Sequence, residues 1–298
     1  MREFIVPAEY DGKKLNNLIL KEFPSLTINN LYKALRKKDI KVNDKRVNSN
    51  ISVYMGDNIK VFISDEFLFS PDKKEEEHIK SLKLEIIYED ENIVIINKPI
   101  GYEVVGKNSI TEILGRQLNT KVFPCHRLDR NTSGLNIFAK NKEILSFIEE
   151  KFINQEIEKH YIAKVVGLFY SKNKILEAYL FKDSKNSIVY ISDKEKPGYV
   201  PIKTEYNVID ENKKDNYSIL DITLHTGRTH QIRAHLAHIN HPIIGDGKYG
   251  INDINKKFKQ KTQLLCSNKL IFKFQDMKNY EKYNYLNNKE FKISKLPF

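Results

Sequence analysis

The tract Ser70-Pro71-Asp72-Lys73-Lys74-Glu75-Glu76-Glu77 constrains the chain most. It clusters charge and offers almost no apolar surface, so it cannot join a packed core. Whatever folds must fold on either side of it. The sequence therefore predicts a small module over 1–63, a linker over 64–82 and a larger domain over 83–298. Two units suit 298 residues at roughly 150 residues per domain, and a 40% hydrophobic content can supply both cores. The longest apolar run, Ile93-Val94-Ile95-Ile96, is far too short to cross a bilayer. The start, Met1 to Pro7, has no apolar stretch of the kind that directs secretion. Cys125 and Cys266 form neither a C-x-x-C pair nor a disulfide framework. These features predict a cytoplasmic protein without membrane association, with a monomer as the default.

Charge points to a partner. The net charge is +11, with +5 in residues 1–62, +8 in residues 248–298 and −2 between them. Basic ends suit a polyanion, because Lys and Arg neutralise phosphates and release counterions. A lysine-rich solubilising surface is the plainer alternative.

In the first segment Leu15, Leu18, Ile19 and Phe23 recur at helical spacing until Pro24. Thr27 can cap a second helix through its hydroxyl. There Leu31 and Leu35 share a face, and Lys33, Arg36, Lys37 and Lys38 crowd the rest. Ile40-Lys41-Val42 alternates as a strand before the Asn43-Asp44 turn, and Gly56-Asp57 turns into the alternating Ile59, Val61 and Ile63. The pattern resembles the S4 RNA-binding domain, although Asn16-Asn17 stands where that family often has an Asp-Arg pair.

The larger segment reads as many strands with few helices. Leu84 to Ile87 and Ile93 to Ile96 predict a hairpin around Asp90-Glu91-Asn92, broken after Lys98-Pro99-Ile100-Gly101. Ser109 and Glu112 predict a capping box for a helix to about Leu118. Strands follow at 135–140, 161–166 and 217–224. One helix is predicted with Leu145, Ile148 and Phe152 on a face, and another capped by Thr229 with Ile232, Leu236 and Ile239 toward the core. The expected class is α+β with a mixed, largely antiparallel sheet flanked by helices and loops.

Three stretches carry chemistry. His126-Arg127-Leu128-Asp129-Arg130-Asn131-Thr132-Ser133-Gly134 sets one carboxylate between two guanidinium groups ahead of small turn residues. A cation beside a carboxylate favours its ionised form, which a nucleophile or base requires. By spacing alone a surface ion pair is the simpler reading. Glu158-Lys159-His160-Tyr161 puts a tyrosine on a strand, where a core position competes with a platform for stacking a base. His225 to Leu236, running on to His238 and His241, gathers five of the eight histidines. It lacks the H-E-x-x-H spacing and a nearby cysteine or carboxylate cluster, so a metal-dependent hydrolase is only a rival reading. Arg228 falls at a strand-to-helix turn. Arg233, one turn into the helix beside its apolar stripe, needs an anion, and Asp129 is an attractive partner.

Together these stretches resemble the RluA family of pseudouridine synthases. His126 to Gly134 matches the signature H-R-L-D-x-x-T-S-G, Lys159-x-Tyr161 the second motif, and Thr226 to Leu236 with His241 to Asp246 and Tyr249-Gly250 the third motif and tail. Asn97-Lys98-Pro99-x-Gly101 matches the strand before the active site. Tyr102 to Val105 and Cys266 depart from the family's usual residues. The resemblance implies isomerisation of uridine in RNA, most often large-subunit ribosomal RNA, with no cofactor and no metal. It implies Asp129 as the essential carboxylate, Tyr161 stacking on uracil and assisting proton removal, and Arg233 paired with Asp129. Arg127 would fill the space left by a flipped uridine. Arg130, Arg228 and His230 would contact RNA, with Lys33, Arg36, Lys37 and Lys38 of the basic second helix. A transfer-RNA enzyme of the same family and a non-catalytic ribosome-assembly factor remain open.

Overall fold

The computed structural model describes residues 1–64, 68, 81–275, 277 and 280–298. The predicted linker therefore lies outside the described residues except for Ser64, Leu68, Ser81 and Leu82. The chain divides into two compact units, Met1–Leu82 and Lys83–Phe298.

The first unit contains β1 (Arg2–Ile5), α1 (Leu15–Glu22), α2 (Ile28–Lys37), β2 (Ile40–Val42), β3 (Lys45–Val47) and β4 (Asn58–Val61). Its antiparallel sheet runs β1-β4-β2-β3. The 3.6-residue spacing of Leu15, Leu18 and Ile19 and of Leu31 and Leu35 turns both helices' apolar stripes into one core with Ile40, Ile59 and Val61. Thr27 caps α2 as the sequence predicts, its Oγ1 accepting from the Asn30 N–H at 3.3 Å. Asn43 and Asp44 both have positive φ, the conformation a two-residue hairpin demands. Lys33, Arg36 and Lys37 are exposed on α2, and Lys38 is exposed at its C-cap. Ile63 falls beyond the end of β4.

The second unit is built on a sheet that has eleven strands among the described residues. These are β5 (Glu85–Glu89), β6 (Ile93–Lys98), β7 (Phe123–Pro124), β8 (Ser133–Ala139), β9 (Ile157–Val166), β10 (Asn173–Asp183), β11 (Ile188–Ser192), β12 (Val200–Asn212), β13 (Tyr217–Leu224), β14 (Leu265–Phe272) and β15 (Glu290–Lys292). The order is β11-β10-β12-β13-β9-β14-β8-β6-β5, with β15 beside β14 and β7 beside β8. The pairing of β14 with β8 is parallel and the others are antiparallel, as the sequence predicts. The helices are α3 (Ile110–Leu118), α4 (Lys142–Ile153), α5 (Gln231–His238) and α6 (Asn252–Lys257).

Two apolar clusters clamp the middle of this sheet. One joins β6, β8 and β14 to α4, with Phe147 central to it. The other joins Tyr161, Ala163 and Val165 of β9 to Leu220 and Ile222 of β13 and Ile232 and Leu236 of α5. Leu128 belongs to the second cluster, so the loop carrying Asp129 is anchored by its neighbour's side chain.

Three local expectations are corrected. The buried face of α4 is Ile144, Phe147, Ile148 and Lys151, with Leu145 and Phe152 only at its margin. Lys151 is buried because its ammonium meets Glu156 at 3.0 Å and lies over the Phe147 ring. At α3, Ser109 accepts from the Glu112 N–H as expected, but the Glu112 carboxylate accepts from Asn108 rather than from Ser109 itself. Thr229 does not cap α5. His230 holds the N-cap position at φ 54° and makes no side-chain cap.

Candidate active site

Strand β8 and the loop before it place the carboxylate. The His126 Nε2 accepts from the Ile137 N–H at 3.1 Å, and Asn136 Nδ2 donates to the His126 carbonyl at 3.0 Å. The loop is thereby fastened to β8 at its entrance. At its exit the Thr132 N–H donates to the Asp129 carbonyl at 3.0 Å. Gly134 then lets β8 run against β14. A Cβ there would stand 2.2 Å from the Ser267 carbonyl oxygen, and its φ of +115° is strained for any other residue.

A third fastening comes from Lys98, which is fully buried at the end of β6. Its ammonium donates to the carbonyls of Pro99 at 2.9 Å, Tyr102 at 3.0 Å and Arg130 at 3.1 Å. Burial pushes this lysine down to about 8, against the pull of Glu103 and Asp129. Arg130 completes the tie, its Nε donating to the Gly101 carbonyl at 2.8 Å.

Arg233 reaches the same point from α5. Its Nη1 donates to Asp129 Oδ2 at 2.8 Å. The partnership expected from sequence is present, but it is the smaller part of what holds the guanidinium. Arg233 Nε and Nη2 grip both oxygens of Asp246, at 2.7 Å and 3.0 Å. Asp246 is fully buried and also accepts from the N–H groups of Lys248 and Tyr249. Burial opposes the Arg233 charge, yet the bonds and attraction from Asp246 and then Asp129 hold its pKa above the ordinary value. Burial likewise works against the Asp246 charge, and Arg233 outweighs it, leaving that carboxyl below its usual range. The fork-to-fork pair fixes the guanidinium plane and aims its remaining N–H at Asp129. Sequence reasoning carried Asp246 in the matched motif tail but did not name it as a site residue. Gly245 permits that turn, since a Cβ there would meet the Thr262 carbonyl oxygen at 2.0 Å.

The entry to α5 is organised by Gln231. Its Oε1 accepts from the Arg228 N–H and the Thr226 hydroxyl, both at 3.0 Å, and its Nε2 donates to the Lys203 carbonyl at 3.1 Å and Thr204 Oγ1 at 3.0 Å. These bonds moor the loop to β12, which explains why a distant strand replaces the local cap expected at Thr229.

Tyr161 stands on β9 at the cleft, 6% exposed, and burial raises its phenol pKa. Ser267 lies directly across the ladder from it. A cleft of about 300 Å³ takes Asp129, Tyr161, Arg233, Leu224 and Leu265 into its wall, with Arg127 and Arg228 exposed along it. A neighbouring groove of about 650 Å³ shares Asp129, Arg127, Arg228, His230 and Arg233 and adds Arg130.

The clustered histidines disperse. His225 meets Glu205 at 3.0 Å, His235 meets Thr204 at 3.0 Å, His238 meets Asp193 at 2.8 Å, and His241 bonds the Val166 carbonyl at 2.8 Å. His230 bonds the Tyr249 hydroxyl at 2.9 Å, and its Nε2 lies 3.8 Å from Asp129. Among the described residues no helix is long and apolar enough to cross a membrane.

Two of the ring positions predict an acid-sensitive fold. Burial pushes His126 down to about 3 and His235 down to about 4. Each binds fewer protons folded than unfolded between that value and the ordinary 6.5, so stability must fall as pH drops through this window. At about 1.4 kcal/mol per pKa unit, the loss is of order a few kcal/mol. Thermal melts should show the melting temperature declining steadily from pH 6.5 to 4.5. A flat profile would mean neither ring is held neutral.

The chain is similar to known proteins. The RNA pseudouridylate synthase family profile matches residues 92–238. Ribosomal large subunit pseudouridine synthase C of Buchnera aphidicola subsp. Baizongia pistaciae is 34% identical over 271 residues, covering 84% of this chain and 81% of the relative. The protein of the same name from Haemophilus influenzae is 29% identical over 267 residues, covering 86% and 81%. The solved structure of human RNA Pseudouridylate Synthase Domain Containing 1 shares the fold. It has a TM-score of 0.57 and 22% identity, covering 65% of this chain and 79% of that one. The matched span carries both the Asp129 loop and the Arg233 helix, and the full-length relatives extend the likeness beyond it: the chain belongs to the RNA pseudouridylate synthase family.

Proposed function

We propose that this enzyme converts uridine to pseudouridine in large-subunit ribosomal RNA, with Asp129 as its essential carboxylate. The observation that carries the reading is the 2.8 Å bond from Arg233 to Asp129 on the wall of an open cleft that also holds Tyr161. The reaction breaks the C1′–N1 bond, turns the uracil and joins C1′ to C5, after which the C5 proton leaves. Nothing is oxidised and no group is donated. Asp129 either bonds to the sugar carbon or takes a ribose proton while the base is detached, and regains its carboxylate form when C5 closes on C1′. That freed carboxylate is then available for the C5 proton. Burial keeps the Tyr161 phenol protonated, which suits stacking and hydrogen-bond donation better than proton removal. Arg127 and Arg228, exposed beside the cleft, suit phosphate contacts and the space of an extruded nucleotide.

The RNA class is supported by the relatives, which carry ribosomal large subunit names. The first unit supports it too, as an S4-type module whose exposed Lys33, Arg36, Lys37 and Lys38 lie along one basic helix end. Pseudouridine mapping by carbodiimide-blocked reverse transcription, in a strain lacking the gene, tests the assignment. A stop lost from large-subunit ribosomal RNA is expected. A stop lost only from transfer RNA would reassign the substrate, and no lost stop would leave a non-catalytic factor.

A further inference from the structure

Among the described residues no carboxylate pairs with Lys159, a lysine that lines the active cleft. It sits on β9 two residues before Tyr161, hence on the same face of the strand, and lines the same cleft as Asp129. Burial lowers its pKa, and no bond or charge from the described residues compensates. Among the described residues its one close partner is the Phe152 ring, whose centroid lies 5.1 Å from Nζ. The adjacent carboxylate, Glu158, pairs instead with Lys273 at 2.6 Å and lies 3.6 Å from His160. Asp129 is engaged by Arg233. Gly227 lies against the ammonium, where a Cβ would stand 3.5 Å from Nζ, in ordinary contact.

Withdrawing an ammonium from water without an anion is costly. A fold that tolerates this in its reaction cleft implies an anion brought by the substrate. Two are available. Phosphates are served by the exposed Arg127 and Arg228, whereas Lys159 is withdrawn beside the tyrosine that faces the base. We infer that Lys159 is a catalytic residue that bonds a uracil carbonyl oxygen and stabilises the detached uracil as an anion. When C1′–N1 breaks, its electron pair leaves with the ring and spreads over N1 and the two carbonyl oxygens. The sugar carbon is satisfied by the Asp129 carboxylate, or by the C2′–H pair with that proton passing to Asp129. The ring's charge is consumed when the C5 pair closes on C1′. A fixed charge that acts only while the ring is anionic speeds the reaction without tightening ground-state binding.

This inference rests on the proposed isomerase reading, and the full-length chain tests both separately. If the parent protein releases no tritium from RNA labelled at uridine C5, that reading fails. If the parent reacts, Lys159→Met should lower the single-turnover rate by about 100-fold or more. RNA affinity should stay within about threefold, and the slope of log affinity against log salt should not change. Lys159→Arg should recover most of the rate. With 5-fluorouridine, whose ring is a better anion, the Met defect should shrink by about tenfold, read as loss of the N-glycoside because fluorine cannot leave as a cation. The Met variant should melt no lower than the parent, since it removes a half-buried ammonium with no carboxylate beside it among the described residues. A salt slope reduced by about one with weaker binding would assign Lys159 to a phosphate. A rate within about threefold of the parent, or a lower melting temperature that Arg restores, would overturn the inference equally.

Discussion

Asp129→Asn is expected to reduce tritium release from C5-labelled uridine in RNA by at least about a thousandfold while leaving RNA affinity nearly unchanged. The substitution keeps the shape and the acceptor oxygen facing Arg233 Nη1, so the 2.8 Å contact can persist. It removes the charge and the nucleophilic or basic oxygen. Affinity should hold because Asp129 presents a negative charge to a polyanion, and its loss cannot weaken phosphate contacts. Filter binding and single-turnover release on the same preparation separate the two effects. Release at the parent rate would remove Asp129 from the chemistry.

The second large effect concerns Arg233. Replacing it with Met strands Asp246 as a buried, uncompensated carboxylate. Breaking such a pair costs about 3–5 kcal/mol, so the variant should melt well below the parent and be inactive. The double variant Arg233→Met with Asp246→Asn removes both charges. The asparagine side chain retains an oxygen for the N–H groups of Lys248 and Tyr249, which now bond Asp246 Oδ1. The double variant should therefore regain much of the stability but none of the activity, because nothing then holds a cation against Asp129. Chemical denaturation of the single and double variants measures the first part and tritium release the second. Activity returning with stability would mean that Arg233 acts only as a structural strut.

The legibility of each feature follows from how local its cause is. The helices of the first unit were readable because Leu15, Leu18, Ile19, Leu31 and Leu35 recur at helical spacing and Thr27 caps within three residues. The β5–β6 hairpin was readable because Ile93 to Ile96 are buried on both faces of a covered strand. The Arg233–Asp129 contact was readable because a guanidinium beside an apolar stripe must find an anion. Asp246 was not, because its burial depends on a glycine turn packed against Thr262. The cap at α5 was misread because Gln231 draws its partners from Lys203 and Thr204 on β12. Strand β10 went unread because its outward face also carries Ile175, Tyr179 and Phe181, which blurs the inward alternation of Leu176, Ala178 and Leu180. Lys98 and Lys159 enter the sequence reading only as members of the matched motifs. Only the folded sheet shows one capped by three carbonyls and the other left open in the cleft.

The most direct measurement is single-turnover tritium release by the purified full-length chain from C5-labelled large-subunit ribosomal RNA transcripts, run with a chelator and no added cofactor. Stoichiometric release, with the radioactivity lost from one uridine position and retained in the Asp129→Asn variant, is the expected result. Absence of release from every RNA offered to a folded, RNA-binding protein would contradict the assignment of the Asp129–Arg233 cleft as an isomerase centre.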